Sequence, residues 1–170
     1  MLLILLVLPS LLMNENSPLL NKKIPPYTML VVSGAERGKL HCYVCEQSDK
    51  EGVVLFTRKI SDGISKTATV IEKHTKVRPD FKGWVSLISE DGSQDNSLLK
   101  WATENNLSAT PVGRFEYKGG PPAYRLAVDS IAEVFFFKAG KVLYSLQAKD
   151  ENELNNLSAK LEEYLKKTKK

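Results

Sequence analysis

The chain has 170 residues, 42% hydrophobic and 26% charged, with 10 Gly and 8 Pro; this is the balance of one soluble globular domain and excludes a disordered, collagenous or polytopic membrane protein. The formal charge is +4, from 24 basic and 20 acidic residues. Lys166, Lys167, Lys169 and Lys170 fall within the last five positions, and without these 4 the remaining 20 basic residues match the 20 acidic ones. A nucleic-acid module carries its basic excess on a folded face, so the charge reads as a solvated tail and no nucleic-acid partner is expected.

The first thirteen residues, MLLILLVLPSLLM, form an apolar run interrupted by Pro9. The run is shorter than the roughly 18 residues of a spanning helix and has the length of a secretory hydrophobic region. No Lys or Arg precedes it and no small-x-small cleavage site follows. It is expected to serve as an export signal or to remain as a membrane anchor, which places the protein in the periplasm, the cell envelope or the extracellular space. Residues 14–28, with Asn14, Asn16, Ser17, Pro18, Pro25 and Pro26, read as a linker. The expected division is a signal-like or anchor segment plus linker over 1–28 and one domain over 29–170.

Met29 to Ser33 is a short apolar run that predicts a peripheral strand. VVLFTR, residues 53–58, is continuous and β-branched, as a strand buried on both faces should be. From Ser61 or Asp62 as N-cap, Ile64, Ala68, Ile71 and Thr75 repeat at helical spacing until Pro79 forbids continuation. Trp84 to Ile88 predicts a second strand, and Leu98, Leu99, Trp101 and Ala102 a second helix ending near Asn105. The alternation implies a parallel sheet with right-handed crossovers. Pro111 to Tyr117 reads as a short strand, KGGPP as a turn and Ala123 to Val128 as one or two helical turns. Glu133 to Lys138 and Lys141 to Leu146 flank Ala139-Gly140 as a tight hairpin. Asp150 and Glu153 form a capping box for a last helix lined by Leu154, Leu157, Leu161, Tyr164 and Leu165.

Two stretches carry a family resemblance over about residues 53–167. AYRLAVDSIAEVFFFKAGKVLYSL resembles the passage of the thioredoxin-like superfamily in which a short helix precedes a strand and a Lys-x-Gly-Lys-Val hairpin. LLKWATENNLSATPV is similar to the helix-to-strand passage of its peroxiredoxin and thiol-disulfide branch. The resemblance implies an α/β fold, a thioredoxin-like three-layer α/β/α with a mixed central sheet, in an exported bacterial protein. The family places its catalytic cysteines after the first central strand. Here that place reads Arg58-Lys59-Ile60-Ser61-Asp62-Gly63-Ile64-Ser65. The family's cis-proline position, counted back from Lys138-Ala139-Gly140, falls on Ala132.

Cys42 and Cys45, the only cysteines, form one Cys-x-x-Cys upstream of that strand. On a strand the two would lie about 10 Å apart, beyond the roughly 7 Å that a disulfide bridges, so they can join only in a turn or helix. CYVCEQSDK, ending at Gly52 as a C-cap, predicts two helical turns with Cys42 at the N-terminus. That end favours a thiolate, and His41 stands beside it as a cation or base.

The pair admits a thiol-disulfide oxidoreductase acting on protein thiols or disulfides, with Cys42 attacking and Cys45 resolving. It equally admits a structural disulfide in a non-catalytic thioredoxin-fold binding domain. Metal is the weakest reading, because a structural zinc site wants four ligands and His41 is adjacent to Cys42. His74 reads as solvent-facing on its helix. Glu46 stands where a c-type haem motif needs His. No cofactor is expected, and the chain is expected to be a monomer. Trp84 and Trp101 read as core anchors, and Phe135, Phe136 and Phe137 as a strand covered on both faces.

Overall fold

The computed structural model describes residues 17–47 and 49–168; the apolar run 1–13 lies outside them. In chain order the elements are β1 (Met29–Ser33), β2 (Leu40–His41), α1 (Tyr43–Glu46), β3 (Glu51–Thr57), α2 (Asp62–Val77), β4 (Phe81–Ile88), α3 (Asp95–Glu104), β5 (Val112–Phe115), β6 (Ala132–Lys138), β7 (Lys141–Ala148) and α4 (Glu151–Lys167). A single 3₁₀ turn, Pro122–Tyr124, stands where one or two helical turns were expected.

The predicted run 53–58 becomes β3, an interior strand of a seven-stranded mixed sheet ordered β2-β1-β5-β4-β3-β6-β7. β3, β4 and β5 run parallel, and β6 and β7 join antiparallel on the far side of β3. Side chains of β3 alternate between two cores, Val53 and Leu55 on one face and Val54 and Phe56 on the other, the period of two that a pleated strand imposes. Phe136 faces the first core and Phe135 and Phe137 the second, as the aromatic run implied. Trp84 and Trp101 are both buried.

Helices α2, α3 and α4 all pack on the first face. The steps β3-α2-β4 and β4-α3-β5 move in the same direction across the sheet, and right-handed crossovers then put both helices on one side. Ser61 stands at the N-cap position of α2 without a side-chain capping bond, and Arg78, before Pro79, ends the helix. Asp150 accepts the Glu153 N–H at 2.9 Å as the cap of α4. Glu72 on α2 is buried and accepts from Ser108 N, Ala109 N and Thr110 N. Those bonds fix the approach of the chain into β5.

The second face carries no long helix. It is covered by Leu19, Ile24, Tyr43, Val44, Tyr124 and Leu126. Residues 17–28, expected as a linker, are therefore part of the domain. Asn21 N–H donates to Val142 O at 2.8 Å, Val142 N–H to Lys22 O at 2.9 Å and Ile24 N–H to Gly140 O at 2.8 Å, so this segment runs along the start of β7. Tyr27 packs on Phe56, Phe115 and Tyr124, and its hydroxyl oxygen accepts from Trp84 Nε1 at 2.8 Å.

Four further expectations change. β1 is not peripheral, because β2, a two-residue strand without a readable period, lies outside it. The cysteine helix has four residues and not two full turns. Gly52 is no helix cap but a residue of β3, where a Cβ would run into the Phe137 ring. His74 is buried at 4% exposure, with Nε2 3.2 Å from Glu162 Oε2 on α4.

A chain beginning at Thr28 would lose Leu19, Ile24 and Tyr27 from the second face. Full burial of one large aliphatic side chain contributes about 1.5–3 kcal/mol, so urea unfolding should show a loss of at least about 3 kcal/mol. Equal stability of the two chains would contradict the packing role of this segment.

Candidate functional site

Cys42 follows β2 directly and is the N-cap of α1. Only a turn brings residues i and i+3 close enough to bridge, and here their Cα atoms are 5.3 Å apart and the sulfurs are bonded. The Cys45 N–H donates to Cys42 O at 3.1 Å and lies 3.2 Å from Cys42 Sγ. Cys42 is half-buried and Cys45 exposed. Tyr43 and Val44, between the cysteines, are buried in the second core and hold the short helix down.

Around the pair the structure gathers groups from three elements, β2, α1 and β4. The Tyr43 ring lies against Trp84 of β4, with centroids 5.6 Å apart, and the Lys82 ammonium sits 5.0 Å from its centroid. Burial, with the charges of Glu46 and Glu36, pushes the Tyr43 hydroxyl up to about 12. His41 Nε2 lies 2.8 Å from Glu46 Oε1, though off the direction of a hydrogen bond. Glu46 Oε2 is 3.9 Å from Lys82 Nζ. The residues immediately before and after the Cys-x-x-Cys thus meet across it.

His41 ends β2, Cys42 follows it directly and Cys45 lies on α1; Glu46 and Lys82 were not anticipated. For Glu46 the available signal was its place directly after Cys45. For Lys82 there was none, because the contact is made through the sheet. Among the described residues no group of three or more His, Cys, Asp or Glu side chains could hold a metal ion.

The carboxyl ends of the parallel strands look different. Ala132 pairs with Thr57 at the end of β3, whereas Lys82 pairs with Gly52 near its start. These levels are five residues, roughly 17 Å, apart along the strand. At the Ala132 end Arg58 Nε donates to Ser130 O at 3.1 Å, and its guanidinium also reaches the carbonyls of Lys118 and Ala127. Arg58 N–H donates to Ile131 O at 2.9 Å. Glu133 is buried beside it and accepts from Ala127 N at 2.6 Å and Ser130 Oγ at 2.8 Å.

No protein-family model matches the chain and no curated protein matches its sequence. Solved structures do match in shape. Peroxidoxin BcpB of Mycobacterium tuberculosis superposes with a TM-score of 0.62 at 15% identity, over 89% of this chain and 98% of that one. The thioredoxin domain of a thiol-disulfide oxidoreductase from Bacteroides vulgatus gives 0.59 at 12% identity, over 84% and 96%. A secreted Mycobacterium tuberculosis disulfide oxidoreductase homologous to E. coli DsbE gives 0.55 at 16% identity, over 78% and 94%.

The fold is thioredoxin-like. Within it, the junction of β3 and α2 holds Arg58 and no cysteine, and no peptide bond among the described residues is cis. The Cys42–Cys45 disulfide lies instead on the second face, flanking Tyr43, whose ring meets Trp84 and Lys82.

At the vacated junction Glu133 has a structural role, and pH separates that role from an acid-base one. Burial raises its pKa, opposed by the Ser130 and Ala127 hydrogen bonds and the charge of Arg58. The folded value lies above the unfolded one, so its contribution is complete below the ordinary glutamate range and is lost as pH rises through the raised value. Glu133→Gln keeps an acceptor and removes the charge. The variant should be more stable than the native protein at pH 8, with the gap closing near pH 4, as urea midpoints would record. A variant destabilised equally at both pH values would contradict this assignment.

Proposed function

We propose that this protein is an exported thiol-disulfide oxidoreductase that exchanges Cys42–Cys45 with thiols or disulfides of other proteins. The observation that carries the reading is the partly exposed disulfide, Cys42 half-buried and Cys45 exposed, with Cys42 at a helix N-cap. On reduction the Cys45 N–H would donate to a Cys42 thiolate, the form of sulfur that attacks. Cys42 is therefore the attacking sulfur and Cys45 the resolving one. His41, held near the Glu46 carboxylate, is the local cation or base. In the reducing direction, Cys42 thiolate attacks a substrate disulfide and releases one substrate thiolate. Cys45 thiolate then attacks Cys42 Sγ, releases the second and restores the bond. The protein gives up two electrons, and an external dithiol must return them.

The size of the ring supports exchange over stapling. A disulfide stabilises chiefly by restricting the unfolded chain, and a four-residue loop yields only about 2 kcal/mol on that account. The competing reading is a non-catalytic thioredoxin-fold binding domain with a structural disulfide. It is favoured by the site's separation from Ala132 and by the Arg58 contacts that occupy the customary end of the sheet.

Export is supported by the apolar run of residues 1–13 and by likeness to a protein described as secreted. Among the described residues no helix is long and apolar enough to cross a membrane. Residues 1–13 act as a signal or anchor in this reading, and the domain works as a monomer.

Redox titration separates the two readings. An exchange-active pair should equilibrate between about −120 and −270 mV, whereas a structural disulfide lies below about −300 mV. Insulin reduction by the native protein should be abolished by Cys42→Ser. A rate that the substitution leaves unchanged would end the oxidoreductase reading.

A further inference from the structure

A thiol-exchange protein must also hold the polypeptide whose sulfur it meets, and at the Ala132 end the backbone is already committed. Ala132 is paired on both sides, with Thr57 and Ala148. The carbonyls of Ser130 and Ala127 accept from Arg58. An extended chain arriving there finds these groups taken.

Beside the disulfide the situation is reversed. β2 is the outermost strand and runs straight into Cys42. In the antiparallel β1–β2 ladder Met29 stands opposite His41 and Leu30 opposite Leu40. Val31 N–H donates to Lys39 O at 2.9 Å, which fixes the phase of the ladder. Val31 O accepts in turn from Gly38 N–H at 2.8 Å, residues 29 and 41 form the hydrogen-bonded pair, and Leu40 between these bonds turns its N–H and C=O away from β1. Leu40 as a whole is 69% exposed. At the opposite edge of the sheet, residues 21–24 strap the beginning of β7. Such straps are how proteins keep free edges from pairing with other chains.

Resting on the oxidoreductase reading, we infer that the outer edge of β2 at Leu40 is the substrate-binding strand of the Cys42–Cys45 site. It takes an extended, cysteine-bearing segment of a client protein by strand addition. Backbone hydrogen bonds supply the affinity and are indifferent to sequence, and strand growth along Leu40-His41 leads the client to Cys42. A client thiolate attacks Cys42 Sγ, the Cys42–Cys45 bond breaks and Cys45 leaves as a thiolate. A second client thiolate then attacks the mixed disulfide and expels Cys42 as a thiolate. The client is oxidised by two electrons and the protein pair reduced by two.

The test compares two thiols in single-turnover reduction of the oxidised protein: a nine-residue peptide with one central cysteine, and 2-mercaptoethanol, which has no backbone to pair. The edge should make the peptide faster, and Leu40→Pro should lower the peptide-to-mercaptoethanol rate ratio about tenfold, the worth of one or two hydrogen bonds. Proline is tolerated at an edge position whose N–H faces solvent. A second measurement does not depend on that variant. In Cys45→Ser joined to the peptide through Cys42, hydrogen exchange at the Leu40 amide should slow at least tenfold against the same protein joined to mercaptoethanol. If mercaptoethanol opens the disulfide but the peptide has no advantage and Leu40 gains no protection, strand addition is wrong and the oxidoreductase reading stands. If neither thiol opens the disulfide, the oxidoreductase reading itself fails.

Discussion

The handedness of two crossovers governs this molecule. From β3 to β4 and from β4 to β5 the chain moves in one direction across the sheet, so right-handed connections place α2 and α3 on the same face. α4 joins them there, with Leu154, Leu157, Leu161 and Leu165 in the same core. The other face still presents Val54, Phe56, Trp84, Phe135 and Phe137, an apolar surface too large to leave in water. It has to be covered by what remains of the chain. That cover is the N-terminal coil around Ile24 and Tyr27, the 3₁₀ turn at Tyr124, and α1.

The placement of the cysteines follows. α1 is too short to be stable alone, since isolated helices below about 12 residues are marginal. It exists because Tyr43 and Val44 belong to the cover of the second face, which leaves Cys45 exposed and Cys42 half-buried while the residues between them point inward. The charged residues then arrange themselves at the rim, with Glu46 between His41 and Lys82. The customary end of the sheet has meanwhile become a sealed corner. Arg58 holds carbonyls there, and Glu133 holds the Ala127 N–H and the Ser130 hydroxyl.

Much of this was legible in the residues, wherever burial imposes a period. The two-sided run at 53–57, the helix stopped by Pro79, the hairpin at Ala139-Gly140 and the capped final helix all appear where patterning places them. Ala139 and Gly140 both have positive φ, 47° and 73°, as a tight hairpin of this kind requires. What stayed hidden has no period. Residues 17–28 pack as coil through single apolar side chains separated by Pro and Asn, a composition shared with true linkers. Leu40–His41 is too short to alternate. His74 was recoverable, since it follows Ile71 by three on the buried stripe of α2 and its polarity disguised the fact. The Cys-x-x-Cys was visible at once, but its distance from Ala132 depends on which end of β3 lies beside α1. That is a property of the whole topology and not of any local segment.

Exchange at this site requires a Cys42 sulfur that is chemically activated where it stands. Thiolate absorbance at 240 nm of the reduced protein as a function of pH tests this most directly. One thiolate should form well below the ordinary cysteine value of about 8.5, its low-pH phase absent in Cys42→Ser and retained in Cys45→Ser. If both thiols titrate at or above that value, Cys42 carries no activation and the disulfide is only part of the scaffold.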